Sequence, residues 1–147
     1  MIEARRTLIV TLLFALVASA CGRGARAPIA VEDAWANATP AGATVAAVYM
    51  QITAREADTL LSATTTVADH IEMHTSSEEN GMMQMRPLPE VPLAAGKPFT
   101  FAPGGAHFML IGLRQPLPAG LRFPMTLRFQ HARAVTVQVK VIEPGSR

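Results

Sequence analysis

The sequence predicts one all-β domain, a sandwich or barrel of about 115 residues. Short runs rich in β-branched and aromatic residues alternate with Gly, Pro and Asn turn chemistry from Ile29 onward. No stretch sustains a helical apolar period between caps at both ends. The eleven prolines sit mainly between the runs, where a missing N–H removes no ladder hydrogen bond.

Residues 1–20 stand outside that domain. After Arg5-Arg6 comes TLIVTLLFALVASA, an apolar run too short to cross about 30 Å of hydrocarbon and suited to the h-region of a signal peptide. Ala18-Ser19-Ala20 fits the small-x-small cleavage rule. VASAC also resembles a bacterial lipobox in which Ala18 replaces the usual leucine. Cys21 is the only cysteine, so it has no intramolecular partner, and lipidation would give this lone thiol a purpose. The expectation is an exported, periplasmic protein, either released or held at a membrane through Cys21. CGRGARAP, residues 21–28, reads as the spacer.

Within the domain, residues 29–143, the elements follow in order. IAVEDAW alternates as a strand, NATPAGAT turns, and VAAVYMQIT is a β-branched and aromatic run. TLLSATTTV and HIEMHTS are further strands, SEENG is a turn, and MMQMRPL is a strand again. KPFTFAP leads into GGAHFMLIGL, RQPLPAG turns, and LRFPMTLRFQ and AVTVQVKVIEP close the domain. Residues 144–147 form a tail. No internal repeat or low-complexity block interrupts this order.

Charge excludes one class of partner. Lys and Arg number 13 against 11 Asp and Glu; without Arg5, Arg6 and Glu3 the balance is 11 against 10, a net +1. There is neither a basic stripe nor aromatic and basic interleaving, so nucleic acid is not an expected partner. Trp35 and Tyr49 are expected to pack in the barrel.

Histidine and methionine are unevenly placed. Of the seven methionines after the initiator, five (Met73, Met82, Met83, Met85 and Met109) lie between residues 73 and 109, together with His74 and His107. Residues two apart on a strand share a face, so His107 and Met109 point the same way, roughly 7 Å apart at Cβ. Met83 and Met85 likewise share a face, and His74 lies opposite Ile71 and Met73. Thioether sulfur is soft and serves copper, chiefly Cu(I), while imidazole serves copper and zinc alike. Two His with two Met suit Cu(I) and suit zinc poorly.

From His74 the spacing reads H-x10-M-x21-H-x-M. With ATPAGATVAAVYMQIT, GMMQMRPLP, PGGAHFMLIGL and PMTLRF, it resembles the PCu(A)C family of periplasmic copper chaperones over most of the exported domain. The resemblance implies a cupredoxin-like, immunoglobulin-like Greek-key β-sandwich or barrel. It implies an exposed Cu(I) site formed by His74, Met85, His107 and Met109, and delivery to an acceptor. That acceptor would be a cytochrome c oxidase subunit with its dinuclear copper centre or another copper chaperone. A monomer is expected, and not an enzyme. Two departures from the family pattern are TSSEEN after the first histidine and AREAD as the turn after the second strand. The chain stops at VIEPGSR, without a His/Met-rich tail, so no second tail site is expected.

Blander roles are assigned beside these. His70 and His131 are expected to be satisfied polar residues, and Met50, Met73 and Met125 to be packing. Met82 and Met83 are either spare sulfurs that assist copper transfer or partly exposed hydrophobes. Gly104-Gly105 lacks the Lys-Ser/Thr pair and following helix of a phosphate loop, and reads as a turn that lets backbone approach the site. A blue-copper carrier needs a thiolate beside two histidines, and Cys21 is far from them in sequence. Ser76, Ser77, Glu78 and Glu79 lie near His74 without a nucleophile elbow. Copper storage or resistance, and a metal-free interaction sandwich, are the alternative functions.

Overall fold

Alternating burial along each apolar run, as in Val45–Ala54 where every second residue is buried, is the imprint of strands with one face on a core. The computed structural model describes residues 28–147, and the signal segment and Cys21 lie outside the described residues. Ten strands follow in order: β1 (Ile29–Asn37), β2 (Val45–Ala54), β3 (Asp58–Thr65), β4 (Ala68–Glu79), β5 (Met82–Pro87), β6 (Val91–Leu93), β7 (Pro98–Phe101), β8 (Ala106–Leu113), β9 (Arg122–Phe129) and β10 (Val135–Ile142). Among the described residues there is no helix.

The strands hydrogen-bond in the order β5-β4-β8-β2-β1-β10-β9-β3-β6, with β7 paired to β2. β1 and β10 run parallel and the other pairs are antiparallel. This mixed sheet wraps one core. Val48, Met50, Phe108 and Leu110 from one half meet Leu60, Phe123, Met125, Leu127 and Val139 from the other, all essentially without exposure. Phe101 stacks on Phe108 at 4.2 Å between ring centroids. Each such large side chain contributes about 1.5–3 kcal/mol by leaving water. Met50, Met73 and Met125 are among the buried residues, as the sequence indicates.

A two-residue turn fixes the position of the edge strand. Asn80 and Gly81, at φ 54° and 78°, form the whole connection between β4 and β5. Positive φ at both central residues is what a two-residue hairpin loop matching the strand twist requires. The turn is therefore tighter than the five-residue SEENG segment expected, and Ser77 to Glu79 continue β4 by pairing with β5.

Two further expectations change. Trp35 and Tyr49 lie on the outer face, their rings 4.6 Å apart, with the Arg147 guanidinium 5.2 Å from the Trp35 ring centre. Alternation explains it, because Ala36, Val48 and Met50 occupy the inward positions. Asp58, the last residue of the AREAD segment, is buried rather than on a surface turn. Its carboxylate accepts backbone N–H bonds from Thr59 (2.7 Å), His131 (3.0 Å) and Ala132 (2.8 Å), tying the start of β3 to the loop after β9. His131 thus sits in a turn and takes part through its backbone.

Candidate metal centre

Three neighbouring strands, β5, β4 and β8, set the site through their registers. The Asn80-Gly81 turn pairs Glu79 with Met82, which places Met85 opposite Ser76 and Met83 opposite Glu78. On the other side of β4, His74 pairs directly with His107, and Glu72 with Met109. Phe108 and Leu110 face the core, so His107 and Met109 face outward, and Glu72, His74 and Ser76 lie on the same outer face. Met85, His74, His107 and Met109 therefore share one face of three adjoining strands. A one-residue slip at the hairpin would turn Met85 to the other face. The same parity separates the two flanking sulfurs, since Met83 shares that face and Met82 does not.

The two imidazoles meet edge to face, 5.9 Å between ring centres, and each has one nitrogen occupied. In His107, Nδ1 lies 3.0 Å from the carbonyl oxygen of Gly105. A carbonyl only accepts, so Nδ1 carries the hydrogen and Nε2 keeps its lone pair. Gly105 is the second glycine of PGG, and its carbonyl also accepts the Ser76 N–H at 3.0 Å. Backbone does approach the site through this turn, as expected. In His74 the arrangement is reversed. Nε2 lies 2.9 Å from Oε2 of Glu72 and donates to it, while Nδ1 is buried with no hydrogen-bond partner.

An unpartnered buried acceptor costs about 1–3 kcal/mol, and a metal ion is one group that a free imidazole lone pair can satisfy. The chemistry of the donor set narrows the ion. Among the described residues no three His, Cys, Asp or Glu side chains gather as a hard or borderline metal would need. Met85 and Met109 offer thioether sulfur on the same face as this pair, a donor type that favours Cu(I).

The site is less open than an exposed site would be. His107 is 6% exposed and the His74 side chain 13%, whereas Met85, on the edge strand, is 53% exposed. Met82 and Met83 are more open still. His70 is exposed and reaches only the other oxygen of Glu72, at 3.5 Å. Glu72 is the residue that sequence reading missed. Its signal is a carboxylate two places before a candidate ligand, on the same strand face.

The model of a family described as "Putative lipoprotein LpqE-like" matches residues 29–141. The chain belongs to this LpqE-like family. A protein of Leifsonia xyli subsp. xyli described as "Putative lipoprotein Lxx21020" is 32% identical to the LpqE-like chain over 114 residues, covering 77% of this chain and 69% of the relative. Among solved structures, the copper-bound PCuAC domain from PmoF2 is 27% identical with a TM-score of 0.67, covering 80% of this chain and 94% of that one. The solution structure of Cu(I)-bound DR1885 from Deinococcus radiodurans is 29% identical with a TM-score of 0.66, covering 84% and 85%. The LpqE-like chain thus has the cupredoxin-like fold of the PCuAC family.

Proposed function

We propose that this LpqE-like chain carries one Cu(I) outside the cytoplasm, on His74, Met85, His107 and Met109, and passes it to a copper-accepting protein. The observation that carries the reading is the His74–His107 pair, in which each ring keeps one lone pair unused. Two copper-bound relatives of the same fold support it. Four neutral ligands leave the +1 charge of the ion uncompensated by the ligand set, which keeps it open to exchange onto a partner's ligands.

The unequal exposure of the ligands gives transfer a direction. The imidazoles are sunk in the sheet, while Met85 stands on the edge strand. An incoming thiolate or thioether displaces Met85 first, and the histidines release last. The acceptor we assign is the dinuclear copper centre of cytochrome c oxidase or a chaperone serving it, as the family resemblance implies. Export by residues 1–20 and attachment through Cys21 complete the proposal, supported by the lipoprotein description of the family and of the Leifsonia relative.

The test is a competition titration of the exported domain with Cu(I) against a coloured chelator, on the parent and on Met109→Ala. One equivalent bound by the parent and weakened in the variant is expected. No binding at sub-micromolar free Cu(I) would overturn the carrier reading. Retention of copper beside a copper-free oxidase domain would point to storage in place of delivery.

A further inference from the structure

We infer that Glu72 is a positioning residue for copper, its carboxylate setting the tautomer of His74 so that Nδ1 presents a lone pair to the ion. The inference rests on the copper-carrier reading and deepens it. Glu72 stands two places before His74 on β4 and directly opposite Met109 on β8, between two of the proposed ligands. Its Oε2 is 2.9 Å from His74 Nε2, and its Oε1 is 3.5 Å from His70 Nε2.

A carboxylate has only acceptors, and a neutral imidazole has one donor and one acceptor. With the hydrogen on Nε2, the ring donates to Glu72 and the buried Nδ1 is a lone pair with no other use. The other tautomer would set the Nε2 lone pair against the carboxylate and bury an N–H that has no acceptor. Both ends of the ring thus favour the same form. Carboxylates that orient metal-binding imidazoles act this way in general, and also raise the basicity of the ligand nitrogen. His107 reaches the complementary state through a backbone carbonyl, so Glu72 acts on one ring of the pair only.

Two readouts test this on the intact exported domain and its Glu72→Gln and Glu72→Ala variants. Nitrogen-15 NMR of the copper-free protein reads the His74 tautomer. Nε2–H is expected in the parent and in Glu72→Gln, whose amide oxygen still accepts, and a mixture of tautomers in Glu72→Ala. The His107 ring should stay Nδ1–H in all three. Competition titration should then show Cu(I) affinity falling about 10- to 100-fold in Glu72→Ala and far less in Glu72→Gln. An unchanged His74 tautomer or unchanged affinity in Glu72→Ala, with Cu(I) bound by the parent, would overturn the inference alone. So would a loss in Glu72→Gln equal to that in Glu72→Ala, which would mark a charge effect. Absence of Cu(I) binding in the parent would overturn the carrier reading and the copper role of Glu72 with it.

Discussion

His74 and His107 face each other as a direct cross-strand pair between β4 and β8, with opposite ring nitrogens pinned. Glu72 holds Nε2 of the first and Gly105 holds Nδ1 of the second. Of the two ring nitrogens left with a free lone pair, Nδ1 of His74 is the one that is buried without a hydrogen-bond partner.

That asymmetry predicts unequal effects on stability in the copper-free protein. His107→Ala removes a 6% exposed ring and its bond to Gly105, and should lower the unfolding free energy by about 1–3 kcal/mol. His74→Ala removes a ring that leaves an acceptor unsatisfied, and should cost clearly less. Both should lose tight Cu(I) binding. Urea unfolding and chelator competition on the two variants check this, and a larger stability loss in His74→Ala would contradict it.

The thioethers predict a different separation. Met85 is 53% exposed on the edge strand, so Met85→Ala should leave stability within about 0.5 kcal/mol of the parent while weakening Cu(I) binding. Met109 lies in the middle of the sheet, half-buried between β4 and β2. Met109→Ala should weaken Cu(I) and also lower the unfolding midpoint. If neither variant changed Cu(I) affinity, the sulfur ligands would have to be sought elsewhere, with Met83 the next on the same face.

Much of this arrangement was legible in the residues. The strand parity that puts His107 beside Met109 and Met83 beside Met85 follows from alternation alone, and the apolar runs mark the all-β fold. What a strand pattern does not contain is register between distant strands. The pairing of His74 with His107 depends on how β4 meets β8, thirty-three residues later at that pair, and Met85 joins them through the two-residue Asn80-Gly81 turn that sets the register of β5. Trp35 and Tyr49 misled because aromatic residues in a strand are usually buried, yet small Ala36 takes the inward place beside Trp35. Asp58 was invisible for a related reason, since two of its three partners, His131 and Ala132, lie more than seventy residues away.

Oxidation should separate the methionines by exposure. Met82, Met83 and Met85 are 53–65% exposed, while Met50 and Met125 are at most 2%. Mild peroxide should therefore convert the first three to sulfoxides well before the core pair. Peptide mapping of the copper-free domain by mass spectrometry reads that order. Anaerobic Cu(I) loading, followed by methionine methyl NMR without peroxide, should shift the Met85 methyl and leave that of Met82, on the other face, unmoved. Equal shifts of Met82 and Met85 would contradict the register-based assignment.

Asp58 predicts a pH dependence unrelated to copper. Burial pushes its pKa up, but the three N–H bonds from Ala132, Thr59 and His131, aided by the charge of His131, outweigh that and hold it below the ordinary 3.8. A carboxylate with a depressed folded-state pKa contributes stability that is present above the unfolded-state value and is lost as pH falls through the folded-state value. Asp58→Asn should therefore destabilise the domain at neutral pH, by about 1–3 kcal/mol, because its amide NH2 must face an N–H donor that the carboxylate satisfied. The gap between parent and variant should narrow as the pH drops below about 3.8. Asp33, also held low by its hydrogen bond to Arg147, is retained in both proteins and contributes equally to their shared acid loss. Thermal unfolding of the pair from neutral to acid pH measures the gap directly. A gap that stayed constant across that range would mean that Asp58 acts through shape and not through its charge.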